Sequence, residues 1–157
     1  MTRAWISVGS NVDRERNIRL AIDSLQQAFG ELVLSPVYRT RAEGFEGDDF
    51  LNLVVGVETE LSLEVLRQRL RDIEDKQGRI RGDNKFASRT LDLDLLTWGD
   101  LVDEEQGIPR DEILKYAFVL KPLADVAPEE FYPGSDQTYA QLWAAFPGKP
   151  AMDAIIL

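Results

Sequence analysis

Leucine and aspartate alternate through RTLDLDLLTW, residues 89–98. A two-residue period belongs to an extended strand, so Leu91, Leu93 and Leu95 share one face while Asp92 and Asp94 share the other. Elsewhere the chain switches between this period and a helical one. RAWISVGSN starts as an apolar strand and closes on a turn signal, Gly9-Ser10-Asn11. In DRERNIRLAIDSLQQAFG, Ile18, Ala21, Ile22, Leu25 and Phe29 recur at helical spacing, with Asp13 as N-cap and Gly30 as stop. ELVLSPVYRT predicts a second strand. RAEGFEGDD, polar and carrying two glycines, predicts a mobile loop before a third strand, FLNLVVGVETE. SLEVLRQRLRDIEDKQG predicts a helix capped by Ser62, burying Leu63, Leu66, Leu70 and Ile73 and closing at Gly78. From Arg79 to Arg89 the chain is basic and irregular, and it runs directly into the Leu-Asp strand.

The order βαββαβ predicts an α+β fold, a ferredoxin-like sandwich with an antiparallel sheet and both helices on one face. The opposite face is expected to be free for a site. GIPRDEILKYAFVLKPLADVAP and DQTYAQLWAAF read as loops and short helices appended to this core. No internal repeat or linker interrupts the chain, and 157 residues suit one domain over 1–157.

Composition narrows the chemistry. With 18 Lys and Arg against 28 Asp and Glu, the formal net charge of −10 disfavours nucleic acid as partner, although a local basic cluster still suits a small anionic ligand. No apolar run approaches a membrane span and MTRAWISVGSN lacks the apolar core of a signal peptide, so a cytoplasmic location is expected. The oligomeric state stays open, a monomer included. The chain has neither cysteine nor histidine, which removes disulfides, thiolate chemistry, Ser-His triads and the usual zinc ligands. A bound metal must therefore take oxygen ligands, as Mg²⁺ or Mn²⁺ does.

Aspartate is a poor strand former and like charges repel, so the pair Asp92 and Asp94 costs stability unless a cation or solvent relieves it. Arg79, Arg81, Lys85 and Arg89 fall within eleven residues just before it. Basic groups on a loop beside two carboxylates on a strand suit a metal-bound polyphosphate, the carboxylates holding the metal and the cations clamping phosphate oxygens. A solvated strand face with salt bridges to a basic loop is the competing reading, and the residues alone leave both open.

GSN after the first strand, VYRT at the second, DDFLNLVVGVET at the third, IEDKQGRIR leading to RTLDLDLL, and FVLKPLADVAPE near the end come in an order and spacing that resemble the 6-hydroxymethyl-7,8-dihydropterin pyrophosphokinases over nearly the whole chain. That resemblance implies a ferredoxin-like core and transfer of diphosphate from ATP to the hydroxymethyl group of a reduced pterin, releasing AMP in folate biosynthesis. It implies that Asp92 and Asp94 hold two Mg²⁺ ions, that Arg79 and Arg89 are catalytic-loop arginines, and that Arg81 supports them on the ATP side. Phe50 and Phe118 would sandwich the pterin, Asn52 would pair with its polar edge, and groups around Thr40 and Glu43 would complete that edge. Gln77 and Glu74, at the end of the second helix, suit the adenine side of the nucleotide and a solvated helix end equally well.

The chain also departs from the family pattern. Ala87-Ser88-Arg89 stands where Gly-Pro-Arg is usual, and Arg41-Ala42-Glu43-Gly44 replaces a proline-rich loop. Arg110 and Tyr116 occupy the places of a histidine and an arginine that grip ATP. Arg110 keeps a cation but cannot act as a neutral acceptor, and Tyr116 carries no charge. Two further readings therefore stay open beside the active enzyme: a paralogue acting on another pteridine or alcohol, and a non-catalytic pterin-binding protein without effective ATP use.

Overall fold

A computed structural model describes residues 1–40, 49–78 and 91–157. Its elements follow in the order β1 (Thr2–Ser10), α1 (Arg14–Phe29), β2 (Val33–Leu34), β3 (Val37–Thr40), β4 (Phe50–Thr59), α2 (Leu63–Lys76), β5 (Asp92–Trp98), α3 (Glu112–Lys115), α4 (Ala117–Val126), α5 (Tyr139–Ala144) and β6 (Asp153–Ile155). The strands pair antiparallel in the order β5-β1-β4-β3-β6, with β2 also pairing β4. This is the ferredoxin-like α+β arrangement that the sequence predicts, with β1 in the interior and β5 at one edge.

Alternation sorts the strands into two faces. Ala4, Ile6 and Val8 of β1, Leu51, Leu53, Val55 and Val57 of β4, and Leu91, Leu93 and Leu95 at β5 all pack beneath the helices. The helices answer with Ile18, Ala21 and Leu25 from α1, and Leu63, Leu66, Leu70 and Ile73 from α2. Ser62 caps α2 as expected, its hydroxyl accepting from the Val65 N–H at 3.3 Å. Asp13 occupies the N-cap position of α1, but it adopts φ 42° and its side chain makes no capping hydrogen bond.

Four features differ from the sequence expectations. The second strand is broken into β2 and β3 at Ser35-Pro36, because proline cannot donate to a sheet ladder. The Ser35 hydroxyl compensates by accepting from the Val54 N–H at 2.8 Å. Gly9 and Ser10 continue β1 instead of turning. The C-terminal residues add β6 along β3 and cover that edge.

The fourth difference concerns the face expected to be free. Half of it carries a second core, in which Trp5, Val54 and Leu96 meet Ile113, Val119, Leu120, Leu123, Ala127 and Tyr139. The Trp5 indole fits because its cross-strand partner is Gly56, where a Cβ would lie 2.6 Å from the ring. Alternation places Leu96 on this face with Asp92 and Asp94, and a bulge there sets Thr97 opposite Trp5 and returns Trp98 to the helix side. The helical segments of the last third therefore cover the part of this face away from Asp92, Gly9 and Asn52.

Leu66 is fully buried between α2 and the sheet. Leu66→Ala is expected to lower unfolding stability by about 2–5 kcal/mol in urea denaturation, and a loss below about 1 kcal/mol would contradict this packing.

Candidate functional site

Strand register assembles the site before any loop is considered. Asp92 pairs with Gly9, Gly9 with Asn52, and Asn52 with Tyr38, giving one row of side-chain positions across four strands. The neighbouring row holds Asp94 and Val54 on either side of Ser7, and at the other end Phe50 pairs with Thr40. With strands about 4.8 Å apart, Asp92 and Asn52 stand roughly 10 Å apart across the sheet. Asn52 is buried, and its Nδ2 donates to Thr40 Oγ1 at 2.8 Å. The amide lies over Gly9: a Cβ at that position would sit 2.8 Å from Asn52 Oδ1. Gly9 thus makes room for the amide, a role its place in a turn-like tripeptide concealed.

Asp94 sits beside a second feature, a cleft of about 200 Å³ between α2 and the outer edge of β5. It is lined by Arg67, Arg71 and Glu74 of α2, by Leu93 and Asp94, and by Arg110. Glu74 is buried and accepts the outward Leu93 N–H at 2.8 Å, so it ties the helix to the edge strand instead of ending in solvent. Arg110 reaches the cleft because its N–H donates to the carbonyl of the bulged Leu96 at 2.8 Å, while Ile108 anchors the preceding turn in the helix-side core. Its Nη2 lies 2.8 Å from Glu112 and 3.8 Å from Asp94.

The charges strain one another. Burial pushes the Asp94 carboxyl up to about 6, with Arg110 opposing the shift and Asp92, Glu112 and Glu74 adding to it. Burial also works against the Arg110 charge, yet Asp94 and Glu112 hold its pKa above the usual value. Arg67 is lowered by burial and then by the nearby Arg110 and Arg71, the signature of guanidinium groups crowded round one opening. Such a group of cations suits an anionic ligand.

Other candidates fall at the margins. Phe118 lies near the start of α4, partly buried on the second core, and Tyr116 stacks on it with centroids 5.1 Å apart and planes at 17°. α4 is tied to β3 through Asp125, which accepts from the Tyr38 hydroxyl and from Lys121 Nζ. Gln77 does not line the cleft: its Nε2 donates to the Asn17 carbonyl at 2.6 Å and links α2 to α1. Arg79, Arg81 and Arg89, the basic loop around them, and Glu43 with its loop lie outside the described residues. Sequence reasoning missed Gly9, Arg67, Arg71, Glu112 and Tyr38. Only Gly9 carried a usable signal, as a glycine at the end of an apolar strand.

Comparison with known proteins supplies a family. The sequence model of the 7,8-dihydro-6-hydroxymethylpterin-pyrophosphokinases matches residues 5–128. A 2-amino-4-hydroxy-6-hydroxymethyldihydropteridine pyrophosphokinase of Synechocystis is 40% identical over 145 residues, covering 85% of this chain and 74% of that protein. The enzyme of the same name from Haemophilus influenzae is 32% identical over 141 residues, covering 86% of this chain and 88% of that protein. Among solved structures, the HPPK-DHPS of Plasmodium falciparum matches with a TM-score of 0.70 at 14% identity, covering 92% of this chain. The chain spans 43% of that longer polypeptide, and the likeness there is one of fold.

The raised Asp94 pKa carries a sign. Ionising this carboxyl costs the folded protein more than the unfolded chain, so its penalty is absent below about pH 4, grows towards pH 6 and persists above. The side chain is 40% exposed, and solvent screening shrinks the effect. In metal-free buffer, Asp94→Asn should therefore gain stability relative to wild type between about pH 4 and pH 7, read from paired denaturation midpoints. A difference that does not change with pH would contradict the burial of this charge.

Proposed function

Because the chain belongs to the 7,8-dihydro-6-hydroxymethylpterin-pyrophosphokinase family, we propose that it transfers the β,γ-diphosphate of ATP to the hydroxymethyl oxygen of 6-hydroxymethyl-7,8-dihydropterin, a step of folate biosynthesis. The oxygen forms a bond to the β-phosphorus, the bond from that phosphorus to the bridging oxygen of the α-phosphate breaks, and AMP leaves. A proton is released from the hydroxyl. The observation that carries this reading is the row Asp92–Gly9–Asn52, which places a carboxylate and a pterin-sized polar anchor roughly 10 Å apart on one rigid sheet face.

The residues present fit magnesium. Among the described residues no group of three or more His, Cys, Asp or Glu is placed to hold a metal alone. Two carboxylates suffice for Mg²⁺, which commonly takes one or two from the protein and completes its octahedron with phosphate and water. Asp92 and Asp94 would hold two such ions, which when bound neutralise the triphosphate and polarise the phosphorus under attack.

The chain's own groups bind and orient. Asn52, fixed by Thr40 and seated over Gly9, offers its amide edge to the pterin, and Phe50 and Phe118 supply the flat contacts for the ring. The cleft lined by Arg67, Arg71 and Arg110 takes the nucleotide with its phosphate end at Asp94. By the family resemblance Arg79, Arg81 and Arg89 would act on the phosphates and Glu43 on the pterin side, all four lying outside the described residues. Tyr116 supports Phe118 by stacking where the family has a charged residue. Gln77 acts on the nucleotide side through the helix end that it fastens to α1. A cytoplasmic setting belongs to the same reading, since ATP is the co-substrate, and no described helix is long and apolar enough to cross a membrane.

The test is AMP formation by the purified protein with ATP, Mg²⁺ and 6-hydroxymethyl-7,8-dihydropterin, against the same mixture without pterin. AMP should appear only with the pterin and should vanish in a folded Asp94→Ala variant. AMP independent of pterin, or full turnover by Asp94→Ala, would contradict the reading.

A further inference from the structure

We propose that Arg110 is a built-in stand-in for the metal: without nucleotide its guanidinium occupies the electrostatic place of a cation at Asp94, so that a divalent ion settles there only together with nucleotide. This rests on the carboxylate and nucleotide assignments above. It adds that the protein itself suppresses premature metal loading.

The geometry is particular to this cleft. The backbone of Arg110 is fixed to β5 through the Leu96 carbonyl at 2.8 Å, which leaves the side chain as the moving part. Nη2 is shared between two carboxylates, at hydrogen-bond distance from Glu112 (2.8 Å) and at a looser 3.8 Å from Asp94. Glu112 therefore offers the guanidinium a resting place when Asp94 turns to another cation. Arg110 Nε is buried with no hydrogen-bond partner among the described residues, a donor that an incoming phosphate oxygen would satisfy. Arg67 and Arg71 line the same opening, so a polyanion entering it meets three guanidinium groups and draws Arg110 off the carboxylate.

Competition at Asp94 follows from charge alone. An opposite charge within about 4–6 Å changes the proton affinity of a carboxylate by roughly tenfold or more, and a divalent ion competing for the same oxygens is opposed at least as strongly. Among the described residues no group of three or more acids is placed to hold a metal, so an ion lacking nucleotide phosphates has few compensating ligands there.

The experiment is an electron paramagnetic resonance titration of free Mn²⁺ with nucleotide-free protein. Arg110→Gln should bind Mn²⁺ at least about fivefold more tightly than wild type. Arg110→Lys, which keeps the charge, should stay near wild type, and the double variant Arg110→Gln with Asp94→Asn should lose the gain. In parallel, Arg110→Gln should weaken binding of α,β-methylene-ATP with Mg²⁺. Unchanged or weaker Mn²⁺ affinity in Arg110→Gln, or a gain that survives in the double variant, would overturn the proposal. The titration needs no turnover, so its failure is distinct from failure to form AMP, which would reject the enzymatic reading instead.

Discussion

Leu91, Leu93 and Leu95 can be buried beneath α1 and α2 only if Asp92 and Asp94 face the other side of the sheet. The arrangement of the site depends on that coupling. A slip of one residue in β5 would bury two carboxylates among leucines and expose the leucines, so the hydrophobic core enforces the register that aims the acids. β1 extends the constraint sideways: its pairing with β5 and β4 sets Asp92 and Asn52 opposite the same Gly9. Distance between the two ends of the site is thus a property of the sheet, which is rigid, and not of the loops that border it.

The same strand positions the basic side of the site by an irregularity. Leu96, at the bulge, sends its side chain into the second core and presents a carbonyl that the Arg110 N–H takes up. One residue thus joins the second core to the cleft. The Leu96 side chain helps to hold α4 and its neighbours on the outer face, and its carbonyl holds Arg110 beside Asp94, whose ionisation burial opposes. The cleft combines cations and acids in a chain whose net charge is −10. This local reversal of sign suits a phosphate-bearing ligand in a molecule otherwise repellent to polyanions.

The legible part of the fold was the periodic part. Two-residue alternation in β1, β4 and β5 and helical spacing in α1 and α2 sufficed for the βαββαβ order, because burial of one face dictates both. The break at Pro36, the bulge at Leu96 and the pairing of β6 were not legible, since each depends on what a distant strand offers to a single residue. At the site, Asp92 and Asp94 stood out because acids in a strand defy local preference, and Asn52 because an amide sat in an apolar run. Arg67, Arg71 and Glu112 read as ordinary helix surface, and only folding shows that the two arginines border the cleft of Arg110, with which Glu112 pairs. Glu74, near the end of α2, is buried on a strand amide while it lines the cleft, a placement that its position in the sequence does not reveal. Gly9 read as a turn because its actual neighbour, the Asn52 amide, is forty-three residues away in sequence.

The proposal that strand register makes Asp92 and Asp94 one metal-holding pair beside a nucleotide cleft is decided by a crystal of the protein grown with Mn²⁺ and α,β-methylene-ATP and measured at the manganese absorption edge. Anomalous peaks should lie about 2.1 Å from carboxylate oxygens of both Asp92 and Asp94, with the phosphates completing the coordination. Manganese on the phosphates alone, with neither aspartate in reach, would contradict the assignment of the site.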